Sequence, residues 1–232
     1  MKFLQVDQNT DEWRKARLGM PTSSNFHLII TPEGEPTKGR TKLVGNKERR
    51  AYLFRLVAER ILGVPMPPRF EGNEYTERGI EMEPRAVAAL EKVLGATMND
   101  GGVAISDDGR YGCSPDRIFR SADGMMGVEV KCPAPWTHIG YMIDGPGEKY
   151  KPQVQGQILT AHFRAVHFWS YHPSFAPVHI VTFPDEAYIR KLSNLLSLFC
   201  LELDATEAWV RRHGNVGEIV REACGVAIQQ EA

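Results

Sequence analysis

The hydrophobic period changes twice along this 232-residue chain, and that change limits the fold more than any single motif does. Over 47–62, and again over 75–94, apolar residues recur every three to four positions, the spacing of one helix face. Leu53, Leu56, Val57 and Ile61 mark the first stripe, with Gly63 as its stop; Ile80, Val87, Leu90 and Leu94 mark the second. From 102 to 131 the period drops to two. Strands are predicted at 102–106, 110–113, 116–120 and 125–131, with turns at Asp107-Asp108-Gly109 and Asp123-Gly124. A helix over 150–163 and strands over 166–171 and 178–183 follow. Pro184-Asp185-Glu186 then opens a long helix to about Arg212, with Tyr188, Leu192, Leu195, Leu196, Phe199 and Leu203 as its core stripe. This order predicts an α/β fold of α+β type, a mixed sheet flanked by helices.

Two short helices precede this pattern, one from Thr10 to a stop at Gly19 and one after the hydroxyl-rich Pro21-Thr22-Ser23-Ser24. Residues 31–46 and 65–73 read as loops. Pro84 is expected to kink its helix or restart it, because it lacks an N–H and crowds the carbonyl of Ile80. With no internal repeat or long linker, residues 1–232 read as one domain, with a core over 10–212 and a short-helical or frayed tail over 213–232.

Composition excludes several classes. Charged residues at 25%, hydrophobic residues at 42% and a mean hydropathy of −0.32 fit a globular protein, not a disordered or collagen-like one. No apolar run approaches the roughly 18 residues of a membrane span. Met1–Asp7 lacks the apolar segment of a signal peptide. Cys113, Cys132, Cys200 and Cys224 form no C-x-x-C pair and read as reduced thiols of a cytoplasmic protein, with a four-cysteine iron–sulfur cluster as the less favoured alternative. The formal net charge of −1 gives no overall basic footprint. Its distribution is uneven, however. Lys38, Arg40, Lys42, Lys47, Arg49 and Arg50 crowd into 38–50 as a DNA-contacting arm or a solvated helix start, whereas 71–100 is rich in Glu.

The chemistry concentrates in Cys113-Ser114-Pro115-Asp116 and, twelve residues on, Val128-Glu129-Val130-Lys131-Cys132. In a strand Glu129 and Lys131 share one face, while Val128 and Val130 point to the other, the core. A turn at Asp123-Gly124 brings Asp116 back beside Glu129. Two carboxylates and a backbone carbonyl suit Mg²⁺, and a neighbouring lysine can orient the water that attacks phosphorus. A bare E-x-K is otherwise a surface ion pair. Glu83 lies on the buried stripe of its helix, where a carboxylate is costly unless it is paired, bound to metal or turned out at the Pro84 kink. Gln153 and Gln157, at i and i+4, otherwise form a polar helix face, and Trp13 a core anchor.

Trp13-Arg14-Lys15-Ala16-Arg17-Leu18-Gly19 with Thr22-Ser23-Ser24, Arg78-Gly79-Ile80-Glu81-Met82-Glu83, Cys113–Asp116, Val128–Pro133 and Gln153-Val154-Gln155 resemble, in order, the motifs of the YqaJ-type viral recombinases. These form the lambda-exonuclease group of the PD-(D/E)XK nuclease superfamily, and the resemblance runs over about 10–212. It implies a restriction-endonuclease-like core and a Mg²⁺-dependent exonuclease that digests one strand of duplex DNA from its 5′ end. Such an enzyme releases 5′-mononucleotides and leaves a 3′ overhang for a single-strand annealing protein. The resemblance makes Asp116, Glu129 and the Val130 carbonyl metal ligands, and Glu83 a ligand of the second of two Mg²⁺ ions or of its water, with Mn²⁺ as a substitute. Lys131 would position the attacking water, and Gln153 would help to hold it or the scissile region. Arg17, Ser24 and Ser114 would form the 5′-phosphate pocket, where a guanidinium and hydroxyls match phosphate geometry. It also implies a homotrimeric ring, encoded by a phage or prophage and acting in the host cytoplasm. An endonuclease of restriction or repair type would use the same carboxylates; a catalytically silent DNA-end-binding scaffold would not need them.

Overall fold

The computed structural model describes residues 1–30, 47–67 and 74–213. Strand β5 (Arg117–Ser121) returns as β6 (Gly124–Lys131), antiparallel, with Arg117 opposite Val128 and Ser121 opposite Gly124. Gly124 makes the tight turn possible at φ 133°, a region that side chains disfavour. β7 (Ala165–Ser170) lies parallel to β6, and β8 (Val178–Thr182) antiparallel to β7. With β2 (Asn99–Asp100) on the outer edge, the five-stranded sheet has the order β2-β5-β6-β7-β8, the mixed sheet expected. A parallel pair needs a crossover, and here it carries α4 (Pro135–Asp144), a 3₁₀ turn (Gly147–Tyr150) and α5 (Lys151–Ala161).

Both faces of β6 are covered. Val128 and Val130 pack with Ala86, Val87 and Leu90 of α3 (Glu74–Leu94). On the other face, Val154 and Ile158 of α5 pack with Ile118 and Val166. A third cluster joins α2 (Lys47–Leu62) to α6 (Glu186–His213), with Leu192, Leu196, Phe199 and Leu203 against Tyr52, Leu53 and Leu56. Asp185 caps α6, its carboxylate accepting the Tyr188 N–H at 3.0 Å. No helix among the described residues is long and apolar enough to cross a membrane.

Four expectations are corrected. The strands β3 (Val103–Ile105) and β4 (Gly112–Cys113) do not continue the meander; they pair with β1 (Lys2–Leu4) in a separate sheet, β1-β3-β4. Pro115, which cannot donate to a ladder, stands at the break between the two sheets. Helix α4 is additional, and Trp136 and Ile143 on it face solvent. Ile80 is 60% exposed and so is not part of the α3 core stripe. Arg49 is 1% exposed and pairs with Glu202 at 2.7 Å over the Phe199 ring, so it is a buried brace between α2 and α6 and not a DNA contact. Lys47 and Arg50 are exposed. Lys38, Arg40, Lys42, Cys224 and the tail from 214 lie outside the described residues.

Helix α3 runs on through Pro84 without restarting. The residue is exposed, and the hydrogen bond it forgoes falls on the carbonyl of Ile80, itself on an exposed turn. A helix-interior proline costs up to about 3 kcal/mol relative to alanine. Since 1 kcal/mol moves Tm by about 2–4 °C at this size, Pro84→Ala should raise Tm by roughly 5–10 °C. Thermal unfolding followed by circular dichroism checks this; an unchanged or lower Tm would mean that the turn is built around the proline.

Candidate active site

The sheet aligns the carboxylates. Asp116 directly precedes β5, so continuing the Arg117–Val128 register places it opposite Glu129. Its Oδ2 accepts the Val130 N–H at 2.7 Å. Backbone groups of alternate strand residues point to the same edge, and the Val128 carbonyl accepts the Asp116 N–H at 3.0 Å. The Val130 carbonyl is thereby directed to the Asp116 side. Glu129 is 1% exposed beneath α5. Its Oε1 accepts Lys131 Nζ and Gln153 Nε2 (2.7 Å), and its Oε2 accepts Gln157 Nε2 (2.6 Å).

Electrostatics follow from this crowding. Burial, and then the Glu129 charge, push the Asp116 carboxyl up to about 7. Burial opposes the charge on Lys131, but Glu129 and Asp116 outweigh it and hold the ammonium above its ordinary value. A cleft of about 320 Å³ is lined by Ile80, Glu83, Asp116, Val130, Lys131 and Tyr150. Within it Glu83 turns to Arg117, at 2.9 Å, while Arg117 also lies 3.4 Å from Asp100. Glu83 thus shares the cleft without joining the Asp116–Glu129 pair.

Among the described residues no three His, Cys, Asp or Glu side chains gather as they would around a metal ion. The donors at Asp116 nonetheless fit a hard divalent cation. They are all oxygen, and the Asp116 carboxyl, raised first by burial and then by the Glu129 charge, is one whose ionised form a cation would stabilise. Cys113 and Cys200 are buried and unbonded to sulfur, and burial pushes the Cys132 thiol up to about 11.

The residues expected at a phosphate pocket are joined through two that were not assigned to it. Trp13 Nε1 donates to Ser114 Oγ at 2.7 Å, and Ser114 Oγ in turn donates to the Gly102 carbonyl at 2.6 Å. Ser114 therefore anchors Trp13 instead of opening toward the pocket. The Arg17 guanidinium stacks 3.8 Å from the Trp13 ring centroid and donates to Thr22 Oγ1 at 3.2 Å, and Thr22 Oγ1 is 3.4 Å from Ser24 Oγ. Burial lowers the Arg17 guanidinium to about 10, only partly offset by Glu59. Arg17, Trp13 and Thr22 line a pocket of about 390 Å³. Ser24 and Gln153 line another of about 310 Å³ with Tyr150, which also borders the carboxylate cleft. Tyr150 and Thr22 thus link the three pockets. Tyr150 carries no sequence signal of its own, Thr22 stands in the hydroxyl-rich Pro21–Ser24 stretch, and the role of Gln157 is foreshadowed by its i+4 spacing from Gln153.

The profile of the YqaJ-like viral recombinase domain matches residues 12–164, which include every residue of this site. The alkaline exonuclease of Laribacter hongkongensis superimposes with a TM-score of 0.75 at 27% identity, over 88% of this chain and 98% of that one. Its complex with dAMP gives 0.76 at 26%, with the same coverage. A phage-related exonuclease from Haemophilus somnus shares the fold at a TM-score of 0.65 and 16% identity, over 85% and 99% of the two chains. No curated protein sequence matches. The architecture is that of the PD-(D/E)XK nucleases.

Proposed function

The chain belongs to the YqaJ-like viral recombinase domain family, and from that premise we propose that it is a metal-dependent exonuclease of duplex DNA ends, working 5′ to 3′. The observation that carries this reading is that Asp116 and Lys131 line one cleft with the buried Glu129 bonded to Lys131, and that Tyr150, Ser24 and Thr22 link this cleft to the Arg17 pocket. The 27% identical relative is an alkaline exonuclease, and its complex with dAMP supports release of 5′-mononucleotides.

Asp116, Glu129 and the Val130 carbonyl would hold one Mg²⁺, and Glu83 would serve a second ion or its water, with Mn²⁺ as a substitute. When bound, the metal supplies positive charge against the scissile phosphate. Lys131, beside Glu129, orients the attacking water, and Gln153 fixes the Glu129 oxygen nearest it. Arg17 receives the terminal 5′-phosphate, a bidentate acceptor matched to its planar donors. The chain acts as one nuclease domain in a homotrimeric ring of phage or prophage origin. It leaves 3′ overhangs for a single-strand annealing protein in the host cytoplasm.

Linear duplexes labelled at either the 5′ or the 3′ end, incubated with Mg²⁺ or EDTA, test the polarity. Early loss of the 5′ label as mononucleotide, only with Mg²⁺, is expected. Covalently closed circles should stay intact; their cleavage would favour an endonuclease. Arg17→Ala should slow 5′-phosphorylated ends about 10- to 100-fold, the worth of a charge-assisted bond, toward the rate of 5′-hydroxyl ends. Equal slowing of both substrates overturns the phosphate assignment.

A further inference from the structure

We infer that Gln157 is a positioning residue that fixes the Glu129 carboxylate for metal binding, an inference that rests on the reading of Glu129 as a metal ligand. Gln153 and Gln157 stand one helical turn apart on α5, and each donates to a different oxygen of Glu129. Donors on both oxygens fix the plane of a carboxylate that would otherwise rotate about its last bond. Because Gln157 takes Oε2, Oε1 is left to Lys131 and Gln153.

The cost of Gln157 points to a purpose other than packing. The side chain is 0% exposed, and its own Oε1 has no hydrogen-bond partner among the described residues. An unpaired buried acceptor costs about 1–3 kcal/mol. The neighbouring interface is apolar, built from Val154, Ile158, Ile118 and Val166, so an apolar side chain of equal size would avoid that cost. The helix that bears the amide is also firmly seated. A Cβ on Gly156 would lie 2.4 Å from the Phe26 ring, so the missing side chain lets α5 close onto the 3₁₀ turn at Ser23–Leu28.

Gln157→Met keeps the volume and removes the donor; Gln157→Asn keeps the amide and withdraws it by one methylene. Each is compared with wild type by calorimetric titration of the full chain with Mn²⁺ alone, by kcat and KM on linear duplex, and by Tm. Both variants should bind Mn²⁺ about 10- to 100-fold more weakly, the usual effect of losing a partner of a metal ligand. Their kcat should fall about 10-fold or more, with KM for DNA within about twofold. Wild-type Mn²⁺ affinity in a folded variant overturns the inference, as does a change confined to Tm. If the Met variant does not fold, the Asn variant decides by the same criteria. A wild-type chain that binds Mn²⁺ yet digests no linear duplex overturns the exonuclease reading, while the titration still judges Gln157.

Discussion

Lys131→Ala should lower the rate of phosphodiester hydrolysis by about 10²–10³-fold, the range of a preorganised donor held at the reacting atoms, while duplex ends still bind. The ammonium is held between the Glu129 carboxylate and the Tyr150 ring, 5.7 Å from its centroid, at the wall of the cleft. Its held charge suits it to orient a water rather than to take a proton. Removing it leaves Glu129 with the Gln153 and Gln157 donors, so the buried carboxylate is not stranded and the fold should persist. Single-turnover digestion in Mg²⁺, beside fluorescence anisotropy of a labelled duplex end in Ca²⁺, separates chemistry from binding. Full activity in the variant removes Lys131 from its assigned role, and loss of binding together with activity would make it a DNA contact.

Strand β6 and its partner β5 were legible in the sequence because their information is local. The period of two assigns Lys131 and Glu129 to one face, and the Asp123-Gly124 turn sets the register that brings Asp116 opposite Glu129. What local patterning does not encode is which partner covers a face. Arg49 reads as one more cation in a basic run, yet Glu202, far along the chain, draws it into the α2–α6 interface. Ile80 keeps helical phase with Val87 and Leu90, but α3 overhangs the cleft at that turn, so the side chain meets solvent. The pairing of Lys2–Leu4 with Val103–Ile105 spans about a hundred residues, and three-residue strands carry no readable period. α4 escapes the same reading because Trp136 and Ile143 are exposed, so its apolar residues do not mark a core face. The net charge of −1 obscures, in the same way, an acidic cleft and a separate guanidinium pocket at Arg17 that a sum cannot separate.

Asp116→Asn should reduce hydrolysis by about 10³-fold or more and, in the metal-free protein, raise Tm. The activity loss follows from removing a charged oxygen ligand, worth several kcal/mol of charge stabilisation at about 1.4 kcal/mol per factor of ten. The stability gain follows from the same carboxylate seen without its cation. Burial and Glu129 raise the folded carboxyl to about 7, above its unfolded value. A group so shifted lends stability below about pH 4, and that stability drains away as pH rises through 7. Asparagine carries no charge at any of these pH values, and its carbonyl can still accept the Val130 N–H. In EDTA, the variant should therefore melt a few degrees above wild type at pH 8, and the difference should shrink toward pH 4. Adding Mn²⁺ should raise the Tm of wild type and leave the variant nearly unmoved, because only the wild-type pair gains a counter-ion. A variant less stable than wild type at pH 8 in EDTA would show that Asp116 is a structural acceptor, with its charge already balanced inside the fold.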